Sequence, residues 1–286
     1  MLDSLVCDGA GAQQSGGVDT MADHELAFAT LTDVGTERDH NEDACGALRE
    51  GAACAVLVVA DGVSSGAGGE VASQMAVEVL LRAYGEESPA TAAGQRLYRA
   101  VQQANIEIYD RAVAVPELRG MSTTLTAVTV DRGELTAVHV GDSRLYLLRD
   151  RALVQLTKDH TVAAEKVRLR ILSKEKARLS PEKSILTRSV GRELIVSRDR
   201  ISQRLVQEDV LLVCSDGLHG VLEEGEMARL LREPDPADAC RALLESANAR
   251  GTPDNLTAAV LRVVGPTPEA PPARGLGARL RRLLRG

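Results

Sequence analysis

The sequence predicts an α+β fold, and three observations carry the prediction. Short, strongly apolar strand patterns at 54–60, 210–214 and 256–264 are spread along the chain rather than gathered in one half. Two long segments, 67–84 and 89–115, show a helical period instead. Val71, Met75, Val79 and Leu80 share one face of the first, and Leu97, Val101, Ile108 and Ala112 share one face of the second. Three consecutive strand patterns follow, at 122–130, 135–140 and 144–148, with Asp131-Arg132-Gly133 as a hairpin turn between the first two.

In chain order, residues 1–23 read as a flexible leader, with Met21 as an alternative start. The leader has neither a basic start nor an apolar run, which argues against a signal peptide. Leu26, Phe28 and Thr30 alternate with Ala27, Ala29 and Leu31, a strand pattern beginning at Glu25. Thr32 to Asp43 is polar and is expected to be a loop. The strand at 54–60 is expected to stop at Asp61-Gly62 and is far short of the ~20 residues a membrane helix needs. Pro89 suits a helix start. The segment 157–192 is rich in Lys and Arg and holds one or two helices over 162–177, read as a solvated, mobile excursion from the core. Helices are expected around 224–231 and 236–249. Pro266, Pro268, Pro271 and Pro272 open a tail over 265–286 that carries five Arg and no acid after Ala273. A solvated tail is the first reading of it, and contact with an anionic partner or lipid surface is the second.

Composition narrows the function. With 41 acidic and 34 basic residues the net charge is -7, which argues against a dedicated nucleic-acid binder. One Phe, four Tyr and no Trp require an aliphatic core. Cys7, Cys45, Cys54, Cys214 and Cys240 are scattered and odd in number, so neither a disulfide scaffold nor a structural zinc site is expected, and the cytoplasm is the default compartment. No GxxxxGK[ST] or GxSxG sequence is present, and Ser64-Ser65 has no evident triad.

The positions of the acids are more informative. Asp61-Gly62, Gly141-Asp142 and Ser215-Asp216-Gly217 stand at strand-to-loop junctions, Glu42-Asp43 lies in the loop after the first strand, and Asp254 precedes the last strand. A carboxylate beside an aliphatic strand needs compensation. Two readings stay open: turn aspartates with local hydrogen bonds, or a shared site for hard divalent cations such as Mg2+ or Mn2+, which prefer oxygen ligands. Arg38, in the same polar loop as Asp43, suits bidentate contact with phosphate.

The string Asp33-Val34-Gly35-Thr36-Glu37-Arg38-Asp39-His40-Asn41-Glu42-Asp43 resembles the opening motif of the metal-dependent protein phosphatases of the PP2C (PPM) family. Further motifs follow in family order: Val59-Ala60-Asp61-Gly62, Gly68-Gly69-Glu70-Val71-Ala72-Ser73 as in bacterial members, Gly120-Met121-Ser122-Thr123-Thr124, and His139-Val140-Gly141-Asp142-Ser143-Arg144. Leu156-Thr157-Lys158-Asp159-His160 and Leu186-Thr187-Arg188-Ser189-Val190-Gly191 resemble the two ends of the family's flap. Ser215-Asp216-Gly217-Leu218 and Asp254-Asn255-Leu256-Thr257 complete the series.

This resemblance implies a four-layer α-β-β-α sandwich of two central antiparallel sheets, formed by a phosphatase domain over 24–264 with a flap at about 160–191. It implies a serine/threonine protein phosphatase with two Mn2+ or Mg2+ ions and, as in many bacterial members, a third. Asp61 would bridge two ions, the Gly62 carbonyl would bind one, Asp216 and Asp254 would be direct ligands, and Glu42 and Asp43 would hold metal or its water. Asp142 with Asp216 would form the third site, and Arg38 would bind the phosphate. A water between the ions would attack phosphorus in line. Animal members carry a His after the Asp-Gly pair as candidate acid. Val63 stands there in this chain, leaving a metal-bound water for that role, and His40 and His160 are not expected to be catalysts. The implied partners are phosphorylated proteins, including serine/threonine kinases or their substrates, met by a monomer without nucleic acid or an integral membrane segment. The alternatives are a catalytically silent member serving as a binding or regulatory domain, and a phosphatase for a specialised substrate outside kinase cascades.

Overall fold

The strand Cys54–Val63 shows how the layers are built, because both of its faces are buried. Side chains alternate across a strand. Val56, Val58 and Ala60 therefore enter one apolar cluster and Ala55, Leu57 and Val59 another. The computed structural model describes residues 26–63 and 68–265. The expected leader, the Ser64-Ser65 pair and the Pro/Arg-rich tail from Pro266 lie outside the described residues.

Eleven strands are described: β1 (Leu26–Asp33), β2 (Asp43–Arg49), β3 (Cys54–Val63), β4 (Ser122–Thr123), β5 (Leu125–Asp131), β6 (Glu134–Val140), β7 (Arg144–Arg149), β8 (Ala152–Gln155), β9 (Asp199–Arg204), β10 (Val210–Cys214) and β11 (Leu256–Val263). The helices are α1 (Gly68–Glu86), α2 (Ala93–Ala114), α3 (Val162–Arg168), α4 (Lys174–Arg178), α5 (Asp216–His219), α6 (Glu224–Leu230) and α7 (Pro236–Asn248). One sheet has the order β1-β11-β10-β7-β8, and the second has β2-β3-β5-β6-β9 with β4 paired to β3. Every described strand pair is antiparallel.

Three apolar clusters bind the layers. Leu57, Val128, Leu145, Leu211, Val213 and Leu261 meet between the sheets. Ala72, Ala76, Leu80, Leu97, Val101 and Ile108 of α1 and α2 cover the outer face of the β3 sheet. Cys240, Leu243, Leu244 and Ala247 of α7 cover the other sheet through Leu212, Ala258 and Val260. The fold is the expected α-β-β-α sandwich, with an aliphatic core.

Several boundaries differ from expectation. β3 does not stop at Asp61: it leaves β5 and pairs Gly62 with Thr123 and Val63 with Ser122. The expected strand 122–130 is accordingly split at Thr124. α2 begins at Ala93, not Pro89, because Ser88 to Thr91 closes a turn through Thr91 N–H donating to the Ser88 carbonyl at 2.9 Å, which places Pro89 at the turn position it favours. Asp43, expected in a loop, opens β2.

The segment 160–191 is tied at its base and exposed beyond it. Val162 N–H donates to the Ile185 carbonyl and Thr187 N–H to the His160 carbonyl, at 2.9 and 2.8 Å. Its two helices are short, and the Thr161 hydroxyl caps α3 by accepting from Ala164 N–H at 3.2 Å. The excess of positive charge is partly internal: Lys166 pairs with Glu182 and Arg168 with Glu165.

Candidate metal centre

Register brings the first two acids together. Asp43 and Asp61 are direct partners of the antiparallel β2–β3 pair, an arrangement in which like charges repel. Asp43 is buried and turned toward the other sheet, where its Oδ2 accepts from Ser215 Oγ at 2.6 Å and from Thr257 Oγ1 at 2.7 Å. Burial pushes the Asp43 carboxyl up to about 7, against the pull of those two hydroxyls and aided by the charges of Asp216 and Asp254.

The backbone around Asp61 is fixed on both sides. Asp61 N–H donates to Thr124 Oγ1 at 3.0 Å, and its carbonyl accepts from Thr124 N–H at 2.8 Å and Thr123 Oγ1 at 2.9 Å. Gly62 N–H donates to the Glu42 carbonyl at 2.9 Å. A Cβ at Gly62 would fall 2.2 Å from the Gly69 carbonyl oxygen, so only glycine lets β3 pass beneath the start of α1. The Asp61 carboxyl is raised well above the usual range, first by the protein atoms that displace water from it and then by the charges of Asp43, Asp216, Asp142 and Asp254.

Three further acids complete the group. Asp216 opens α5 directly after β10, and its carboxyl is pushed up to about 6 by desolvation and then by Asp254, with Lys183, Arg144 and Arg38 opposing. Asp142, in the turn after β6, is buried and likewise raised by desolvation and then by Asp216. Asp254 sits before β11, where its Oδ1 accepts from Asn255 N–H at 3.0 Å and faces Arg38 Nη2 at 3.0 Å. Arg38 Nε also donates to the Pro253 carbonyl at 3.1 Å. Glu42 N–H donates to Asn255 Oδ1 at 2.9 Å, while Asn255 Nδ2 donates to the Val34 and His40 carbonyls at 2.8 and 2.9 Å.

Asn255 thus ties the Arg38 loop to the start of β11. Sequence reasoning gave it no role, nor did it assign Ser215, Thr257, Thr123 or Thr124. For Asn255, Ser215 and Thr257 the available signal was adjacency, since each stands within three residues of Asp254 or Asp216, whereas Thr123 and Thr124 have no acid nearby in sequence. Val63, at the position of the animal family's histidine, is 37% exposed. His40 enters this network through its carbonyl.

The donor chemistry fits hard divalent cations. The converging groups are oxygens, the charges of Asp43, Asp216, Asp142 and Asp254 raise the Asp61 carboxyl, and divalent cations supply the opposite charge such a group calls for. The ring nitrogens of His139, His160 and His219 with described partners are engaged with backbone or side-chain groups of the protein. Among the described residues no three His, Cys, Asp or Glu side chains are gathered tightly enough to close on a single ion. Asp43 is held by Ser215 and Thr257, and Asp254 by Arg38.

The protein phosphatase 2C family model matches residues 34–260, which span every acid described above. The chain belongs to the protein phosphatase 2C family. The serine/threonine phosphatase stp of Listeria monocytogenes is 36% identical over 230 residues, 79% of this chain and 91% of that protein. The crystal structure of the Mycobacterium tuberculosis serine/threonine phosphatase PstP/Ppp matches with a TM-score of 0.77 at 34% identity, covering 84% of this chain and 99% of that one. A structure of the PstP catalytic domain in complex with 2 manganese ions gives a TM-score of 0.75 at 34% identity, with 84% and 99% covered. This protein phosphatase 2C chain is an enzyme, a serine/threonine protein phosphatase of a metal-dependent class.

Proposed function

We propose that the chain hydrolyses phosphoserine and phosphothreonine on proteins at a centre of two divalent cations, Mn2+ or Mg2+, held at the common end of its two sheets. The observation that carries this reading is that acids from five separate segments meet around Asp61: Asp43 is its direct cross-strand partner, and the charges of Asp43, Asp216, Asp142 and Asp254 all reach its buried carboxyl. Asp61 would bridge the ions and the Gly62 carbonyl would contact one. Asp216 and Asp254 would bind directly, and Glu42 and Asp43 would hold a metal or its water. Asp142 with Asp216 is the proposed third site. When bound, the ions lower the pKa of water and neutralise charge on the phosphoryl group.

The residues of the chain do the rest. Arg38 is proposed to bind the phosphate: its guanidinium stands 3.0 Å from Asp254 with the side chain half-exposed, so the phosphate-binding group and a metal-binding acid are adjacent. Ser215 and Thr257 fix Asp43, Thr123 and Thr124 fix the backbone of Asp61, and Asn255 fixes the Arg38 loop. These bonds preorganise the acids and so lower the reorganisation needed at reaction.

The proposed domain is 24–264 with a flap at about 160–191, and the proposed partners are phosphorylated proteins, serine/threonine kinases or their substrates among them, met by a monomer. Cys45, Cys54, Cys214 and Cys240 are free, which supports a reducing, cytoplasmic setting. Among the described residues no helix is long and apolar enough to cross a membrane. Hydrolysis of a phosphothreonine peptide with Mn2+, Mg2+ or EDTA tests the activity. Turnover should need metal and be lost in Asp61→Asn and Asp216→Asn. Turnover that persists in EDTA or in both variants contradicts the proposal.

A further inference from the structure

Three of the five histidines in the sequence gather around one two-residue turn, Gly141-Asp142. The turn has little of its own to hold it. Gly141 has φ +106°, and a Cβ there would lie 2.6 Å from Thr124 Cβ. With no side chain at Gly141, the conformation must be held through backbone atoms, and these go to imidazole-bearing residues. His160 N–H donates to the Gly141 carbonyl at 2.8 Å, and Gly141 N–H donates back to His160 Nδ1 at 3.1 Å. The next carbonyl, that of Asp142, accepts from His219 Nε2 at 3.0 Å.

Each histidine also belongs to a second element. His160 is the first residue of the proposed flap, and its carbonyl accepts from Thr187 N–H of the returning segment at 2.8 Å. His160 Nε2 lies 3.1 Å from Arg188 Nη1 and 3.4 Å from Asp199 Oδ2, and Arg188 Nη1 also donates to Asp199 Oδ1 at 2.9 Å. The ring of His139 packs on His160 with centroids 4.7 Å apart. His219 is the last residue of α5, the four-residue helix that Asp216 opens.

We propose that His160 and His219 are positioning residues of the phosphatase, clamping the Gly141-Asp142 turn so that Asp142 is set against Asp216 by His219 and against the base of the flap by His160. The proposal rests on the reading of Asp142 and Asp216 as metal ligands. Neither ring touches the reacting atoms. Each acts through the carbonyl or amide it holds, as groups outside a metal's own ligands commonly do.

Paired substitutions test it. In His160→Asn the amide oxygen stands near the place of Nδ1 and keeps the acceptor for Gly141 N–H, whereas His160→Gln puts its amide near the place of Nε2 and loses that acceptor. At His219 the order is reversed: Gln keeps a donor for the Asp142 carbonyl and Asn does not. In metal-free protein, NMR exchange of the Gly141 amide should stay slow in the native chain and in His160→Asn and quicken in His160→Gln. Calorimetry with manganese should show the weakest ion bound roughly 10- to 100-fold less tightly in His160→Gln and His219→Asn, and at native strength in the other two. For a phosphothreonine peptide, kcat should fall in the same two variants with KM unchanged. Equal losses within each pair, or no loss in any variant, would overturn the clamp. A native chain that binds no manganese would instead remove the metal reading, and the exchange contrast at Gly141 would still decide the clamp.

Discussion

Arg38 and Asp254 hold each other at 3.0 Å, and the pairing predicts how Arg38 should respond to substitution. If its planar fork takes the phosphate, Arg38→Ala should lower kcat/KM by about a hundredfold. Arg38→Lys should recover only part, because an ammonium cannot make the paired contact. Full recovery by Lys in steady-state assays would show that charge alone suffices. His139 gives a separate prediction about stability. Its ring is fully buried, with Nε2 donating to the Lys158 carbonyl at 3.0 Å and Nδ1 2.8 Å from Thr126 Oγ1. Burial, and then the neighbouring His160, pull its pKa down to about 4. Above the unfolded value near 6.5 neither state is protonated, and the neutral ring costs nothing. As pH falls from there towards 4, the unfolded chain takes the proton first, and stability declines by up to roughly 3 kcal/mol. Urea unfolding at pH 7.5 and 5.0 should therefore show a steeper acid loss in the native chain than in His139→Gln. Parallel losses in the two would rule this origin out.

Among the elements, α7 offers the cleanest test of local sequence logic. Asp235 accepts from Ala237 N–H at 2.7 Å as the N-cap, with Pro236 at the first helical position. Asp235→Ala should cost about 1 kcal/mol of stability by urea unfolding, and an unchanged midpoint would show that packing alone holds the helix. That helix was legible in the sequence, as were α1, the body of α2 and the doubly buried strands β3, β10 and β11, because their apolar patterns are continuous. β2, β8 and β9 were not, and all three lie at sheet edges. An edge strand meets water on one side and is protected by charge and short length rather than by an apolar run. Asp199-Arg200-Ile201-Ser202-Gln203-Arg204 of β9 alternates between half-buried and exposed residues over its first four positions, with Ile201 its only aliphatic side chain. In β2, Gly46 lies beneath Val77 and Leu81 of α1, so a contact made across 31 residues of sequence leaves no local apolar signal. The acids themselves were legible from their junction positions and from the ordered family motifs. The hydroxyls that orient them were not, since Ser215 and Thr257 reach Asp43 across 172 and 214 residues.

At the scale of the whole molecule, the two sheets carry their buried faces inward and deliver acids from distant segments to one end. The proposed flap at about 160–191 presents a different surface. Arg170, Lys174, Lys176 and Arg178 are exposed, as are Leu169, Ile171, Ile185 and Leu179, the last 88% accessible. Basic and apolar groups together suit an acidic stretch of a phosphoprotein. Reversing Lys174, Lys176 and Arg178 to Glu should raise KM for an acidic phosphoprotein several-fold and leave turnover of a small aryl phosphate unchanged. An unaltered kcat/KM for the phosphoprotein would remove the flap from substrate capture. Cation binding by the buried acids underlies every proposed step at this centre, and calorimetric titration of the metal-free protein with Mn2+ and Mg2+ tests it most directly. Saturable uptake of at least two Mn2+ ions by the native chain, weakened in Asp61→Asn and in Asp216→Asn, is the predicted result. A folded native chain that takes up neither ion, or variants that bind as the native chain does, would contradict it.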